Sequence, residues 1–204
     1  AVDSAVDLTG YDVVVVQESF NSGSQIFTPD GALALEKITV PFIYNKAYAL
    51  RNGKAVTSAA AAAGQTPANQ LYMTIEPGME SHDLFSGLTL TNDSIKMFNE
   101  PASDDGSSGA KTMNFAYDLE ISDATTLLGR LKGADPVTVC VNDIPAGTVL
   151  GTEDTLKARM IALSENFGAI ARHMGRNITD ENLTIWRNAL YLAAGLPVPE
   201  TMYH

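Results

Sequence analysis

The chain has 204 residues, 45% of them hydrophobic and 18% charged, a balance that suits one domain with a substantial core and not a disordered segment. Its formal net charge of -11 repels a phosphate backbone, which sets nucleic acid and anionic membrane surfaces aside as partners. No apolar run approaches the roughly 20 residues of a membrane-spanning helix, and the single cysteine, Cys140, excludes an internal disulfide and a zinc site built from several cysteines.

Residues 11–18 form the first strong strand. The run Val13-Val14-Val15-Val16 does not alternate, so both faces should be covered, as in a central strand of a parallel sheet. It ends in the polar segment Gln17-Glu18-Ser19-Phe20-Asn21-Ser22-Gly23, at the carboxyl end where ligands bind in open α/β sheets. Thr28-Pro29-Asp30 reads as a helix start, with Thr28 as N-cap and Pro29 in the first turn; the helix should end near Lys37. Val40 to Asn45 is the next strand, with Pro41 at its entrance. Strand, helix and strand make a βαβ unit with a right-handed crossover.

Ser58 with the alanines Ala59 to Ala63 has helical character, closed by Gly64 and Pro67. Leu71 to Ile75 and Thr89 to Phe98 read as strands, the second partly exposed. Pro101 to Gly109 is rich in Ser, Asp and Gly and reads as a flexible loop. Thr112 to Leu119 alternates like a strand. Ser122-Asp123-Ala124 should open a helix to about Leu131. Val137 to Val141 is a second buried strand ending in Asn142 and Asp143, and Lys157 to Leu163 is the last. Thr179-Asp180-Glu181 caps a final helix with Leu183, Trp186, Leu190 and Ala194 on one face. Gly195 and Pro197 stop it.

These elements predict a single α/β domain over residues 1–204, with a mostly parallel, flavodoxin-like sheet and helices on both faces. Only about ten residues precede the first strand, fewer than an opening βα unit needs, so that unit is expected upstream or absent. The chain begins Ala1-Val2-Asp3 without an initiator Met and is expected to be cut from something longer. Low Lys content with many Asn, Thr, Ser and Asp points to an exported bacterial protein, secreted, periplasmic or at the cell surface.

Several segments together resemble the trehalose-utilisation (ThuA-like) family of the class I glutamine amidotransferase-like superfamily. Leu8 to Val15 and Val40 to Asn45 are similar to two of its strands. Glu80 to Leu88 resembles its histidine segment, with Asp83 where proline is usual. Ala146 to Gly151 and Ala158 to Leu163 are similar to its late strand and approach. Thr179 to Gly195 resembles its closing helix, with Asn182 in place of glycine. The resemblance spans most of residues 8–196 and implies a flavodoxin-like fold and a link to sugar utilisation. In the superfamily a nucleophilic cysteine follows the strand that Val40 to Tyr44 resembles; here Asn45-Lys46-Ala47 stands there, and no Gly-x-Cys-x-Gly occurs. Cys140, between valines, reads as a core residue, and amidotransferase activity is not expected.

Adjacent strands would bring Gln17, Glu18 and Ser19 together with Asn45, Lys46 and Tyr48 in one crevice, with Asn142 and Asp143 on its rim. Carboxylate, amide and aromatic groups side by side suit a polyhydroxylated ligand. Glu18 or His82 would be the acid or base of any reaction there. His82 with Glu76, Glu80 and Asp83 also has the composition of a divalent-metal site. The favoured reading is that His82 bonds a loop carbonyl and fixes the turn beneath Leu84 and Phe85, so neither metal nor cofactor is expected. Two functions follow: sugar processing or sugar binding, and, as its rival, a non-catalytic surface or interaction domain. The open sheet edge left by a missing first strand would pair with a partner chain or a second copy.

Overall fold

Parallel pairing is confined to one end of the sheet. The computed structural model describes residues 6–56, 60–102, 111–119, 126–130, 139–151, 154–171 and 175–200. Within them lie β1 (Val14–Val16), β2 (Phe42–Tyr44), β3 (Ala62–Gln65), β4 (Tyr72–Ile75), β5 (Ser94–Lys96), β6 (Asn114–Tyr117), β7 (Thr126–Arg130), β8 (Val141–Ile144), β9 (Val149–Leu150), β10 (Asp154–Thr155) and β11 (Met160–Ala162). The α-helices are α1 (Phe167–Ala171) and α2 (Asp180–Ala193). The main sheet has seven strands in the order β1-β2-β11-β8-β7-β4-β5. β1, β2 and β11 run parallel; β8, β7, β4 and β5 are each antiparallel to the strand before them in that order. β3 pairs with β6 and β9 with β10 in two small antiparallel sheets.

The sheet separates two cores. Ile43 and Ile161 point to the face that α2 covers with Ile185, Ala189 and Leu192. Phe42, Tyr44, Met160 and Ala162 point to the other face. No α-helix among the described residues closes that second face. Ile26, Phe27, Leu35, Ile38 and Leu50 close it, carried on coil and short 3-10 turns at Gln25–Phe27, Leu35–Lys37 and Ala47–Ala49. The expected flavodoxin-like sheet with helices on both faces is therefore wrong: the sheet is mixed and strand-rich, and α2 covers one face only.

The individual differences have local causes. The valine run forms an outer strand, not a central one, and Val15 is 45% exposed. β-branched residues fit a pleated strand wherever it sits, so the run identified a strand but not its neighbours. The expected helix from Thr28 to Lys37 is absent. There Thr28 gives its hydroxyl and its amide to Gln25 O, and Leu33 N donates to Ile26 O, so the chain folds back on itself. The alanines lead into β3, where tertiary pairing with β6 overrides helix propensity. The helix expected to reach Leu131 gives way to β7, wedged between β8 and β4.

The last buried strand is shifted: Val139 forms a lone bridge to Ala116, and β8 itself begins at Val141. Asn142 and Asp143 thus lie within a strand instead of at its polar tip. α2 is capped as expected, with Thr179 Oγ1 accepting from Asn182 N at 3.1 Å and Asp180 and Glu181 in the first turn. Its buried face differs, however: Leu183 and Leu190 are exposed, and Ile185, Ala189, Leu192 and Ala193 are buried. Residues 103–110 of the expected loop, Ser122 to Ala124 of the expected helix start, and Val137 and Thr138 lie outside the described residues. No helix among the described residues is long and apolar enough to cross a membrane.

Candidate functional site

The carboxyl ends of β1 and β2 leave the sheet side by side and turn polar. Asn45 N donates to Val16 O at 2.9 Å, extending the parallel ladder one residue. Beyond it Asn45 Nδ2 donates to Gln17 Oε1 at 2.6 Å, and Glu18 N donates to the same oxygen at 2.7 Å. Lys46 Nζ then meets Glu18 Oε2 at 2.7 Å and Glu18 O at 3.3 Å. The two side chains are only 2% and 9% exposed. Burial raises the Glu18 carboxyl and lowers the Lys46 ammonium, against the attraction between them.

Around this pair the chain builds a pocket of about 380 Å³. Glu18 and Lys46 line it with Ser19 and Tyr48. Gln65 enters from β3 and donates to Asn114 Oδ1 at 3.1 Å. The Asn166 amide also donates to Asn114 Oδ1, at 3.2 Å. Two aromatic rings stand on the pocket wall, Phe20 at 44% and Phe167 at 46% exposure. Arg51 lies over the Tyr48 ring at 4.8 Å and reaches Ser22 Oγ at 3.3 Å. Two buried polar atoms next to the pair, the Tyr44 hydroxyl and Asn45 Oδ1, have no protein partner.

Of the residues expected in the crevice, Glu18, Ser19, Lys46 and Tyr48 line the pocket, and Asn45 is buried behind it. Gln17 sits beside it, bonded to Asn45 and Glu18, but the structure does not bring Asn142, Asp143 or His82 there. Asn142 is fully buried, its Oδ1 accepting from Cys140 N at 2.8 Å. Asp143 lies opposite Ile161, which pairs with Ile43, so its side chain is on the α2 face. It is held there by Arg159, through Nε at 2.8 Å and Nη2 at 2.6 Å. His82 joins this second cluster, with Nε2 3.2 Å from Asp143 Oδ2. Its Nδ1 accepts from Leu84 N at 3.1 Å, so His82 fixes its turn through an amide and not through a carbonyl. Of the two residues expected to act as acid or base, only Glu18 is in the pocket.

Cys140 is fully buried, and burial pushes its thiol up to about 12, which removes it from nucleophilic chemistry. Among the described residues no three His, Cys, Asp or Glu side chains cluster closely enough to hold a metal ion. Phe20, Asn21 and Ser22 also line the pocket; they belong to the polar segment expected at the ligand-binding end of the strand but were not singled out within it. Sequence reasoning missed Gln65 and Phe167, which reach the pocket only through tertiary folding and carry no local signal. Comparison with protein-family models, with curated proteins and with solved structures finds no match to this chain.

Proposed function

We propose that the pocket at the carboxyl ends of β1 and β2 binds a carbohydrate. The observation that carries this reading is the pairing of a polar floor, Glu18, Lys46 and Gln65, with the exposed rings of Phe20 and Phe167 on one concave surface. Hydroxyl groups need donors and acceptors at fixed points, and the apolar face of a sugar ring needs a flat aromatic surface. The resemblance to trehalose-utilisation proteins bears on this ligand class. A thermal-shift screen with mono- and disaccharides tests it, because a ligand that binds only the folded state raises its melting temperature. A sugar-dependent rise that Phe20→Ala removes supports the reading. No rise with any sugar overturns it.

A second reading, a non-catalytic interaction domain, draws on the other side of β1. Among the described strands β1 pairs only with β2, and it leaves Val15 at 45% and the preceding Tyr11 at 63% exposure. An open edge of this kind is a template for another strand. Analytical ultracentrifugation of the native chain and of Val15→Lys checks it: self-association that the lysine abolishes favours this reading, and a monomer throughout removes its homo-oligomeric form.

A further inference from the structure

We propose that the outward face of β4 and β5 is a second binding surface, shaped for an extended, uncharged glycan. The pleat directs Met73, Ile75 and Ile95 into the core and leaves Tyr72 and Thr74 facing outward beside Ser94 and Lys96. Cross-strand register sets Tyr72 opposite Lys96 and Thr74 opposite Ser94. No helix among the described residues covers these four side chains. Instead they floor a groove of about 680 Å³, larger than the Glu18 pocket.

The groove has built walls. On one side the chain from Leu88 to Asn92 runs along it, and Asn92 and Asp93 both take left-handed backbone angles, φ 53° and 55°, that turn the chain sharply into β5. On the other side Gln70 lines the groove, its Nε2 bonded to Tyr72 O at 2.6 Å. Tyr72 itself is 51% exposed, a flat ring standing free among hydroxyl and amide groups.

Charge selects the occupant. The chain as a whole carries -11, yet this lining holds one cation, Lys96, and one anion, Glu181, which cancel. An anionic polymer would meet a single lysine on an acidic protein. An apolar peptide would find Leu71, Leu88 and Ile95 interrupted by Thr, Ser, Asn and Gln side chains whose hydrogen bonds it could not satisfy. A polyhydroxyl chain matches both features, the amides and hydroxyls for its hydroxyl groups and Tyr72 for a ring face. This surface does not depend on how the Glu18 pocket is read.

Affinity electrophoresis tests it, with the native chain run through gels containing a neutral glucan, a xylan or a mannan, and through a polyuronate gel as the anionic control. At least one neutral polysaccharide is expected to retard the protein, with little dependence on salt. Tyr72→Ala should weaken that binding roughly tenfold, as loss of a central aromatic contact does, while Tyr72→Trp retains it. The proposal falls if no neutral polysaccharide retards the chain, if only the polyuronate does, or if Tyr72→Ala binds like the native protein. Circular dichroism of each variant separates loss of binding from loss of fold; should Tyr72→Ala unfold, Tyr72→Ser and Thr74→Lys carry the same test on the same face.

Discussion

Trp186 on α2 donates its indole N–H to Glu165 Oε1 at 3.1 Å, and the other carboxyl oxygen of Glu165 is buried with no partner. Burial pushes this carboxyl from its ordinary 4.5 up to about 7, the hydrogen bonds to it opposing only in part. Between those two values the unfolded chain has released the proton and the folded chain keeps it. Stability should therefore fall as pH rises from about 4.5 to about 7 and then level off, a loss of at most about 3 kcal/mol. Glu165→Gln removes the ionisable group while retaining an acceptor for Trp186. It should erase this part of the slope and stabilise the protein by about 1–2 kcal/mol at pH 8. Urea unfolding of both proteins at pH 5 and pH 8 measures it; parallel slopes would contradict the assignment.

Asp143 shows the opposite sign. Burial alone would raise its carboxyl, but the Arg159 hydrogen bonds and then the His82 contact outweigh burial and hold it down to about 2. A carboxyl depressed in this way contributes stability above its ordinary 3.8 that is lost as pH falls through about 2. The gap corresponds to about 2 kcal/mol, and to about 1 after allowing for solvent around Arg159. Arg159 also donates to Leu192 O at 2.8 Å, so the fork ties β8 to the last turn of α2. Asp143→Asn should lose that stability at pH 7 and flatten the unfolding curve below pH 4. An unchanged acid limb in urea titrations would rule this out.

How far the sequence reveals this fold depends on what each signal measures. Hydrophobic runs located β2, β4, β6 and β11, because apolar β-rich segments become strands whatever covers them. They could not show what the cover is. Phe27, Leu35 and Leu50 close one face from coil and 3-10 turns, which have no periodicity to read. At the site, Glu18 and Lys46 were placed together because parallel neighbours bring equivalent ends side by side. Asp143 was misplaced because Val137 to Val141 was taken as the whole strand, when the ladder to β11 runs from Asn142 to Ile144. A shift of that size exchanges a strand's tip for its middle and moves a side chain from pocket rim to sheet face.

Gly31 lies in the turn that replaces the expected helix and should tolerate no side chain. A Cβ there would collide with both Gln25 O and Ile26 O, and neither backbone oxygen can rotate away. Gly129 offers a contrast, since its Cβ would meet Met73 Sδ at 2.6 Å, near the end of an adaptable side chain. Gly31→Ala should cost about 3 kcal/mol or more and Gly129→Ala about 1–2. Thermal unfolding of the two variants checks the order; a milder Gly31→Ala would mean that the turn can open without loss.

Glu18 and Lys46 join the tips of β1 and β2 at 2.7 Å with almost no solvent access, so each is the other's main compensation for burial. Removing one leaves a charge that burial already disfavours. Lys46→Met should destabilise the fold by about 3–5 kcal/mol, as breaking a buried pair from one side does. Glu18→Gln keeps an acceptor for Lys46 and should cost less. In the double variant no uncompensated charge is left, so its cost should fall below that of Lys46→Met alone and the thermodynamic cycle should not close additively. Coupling of less than about 0.5 kcal/mol in urea unfolding would mean that water already screens the pair. The pocket floor would then be open to solvent, and a bound sugar would have to compete with water for both groups instead of finding them held in place.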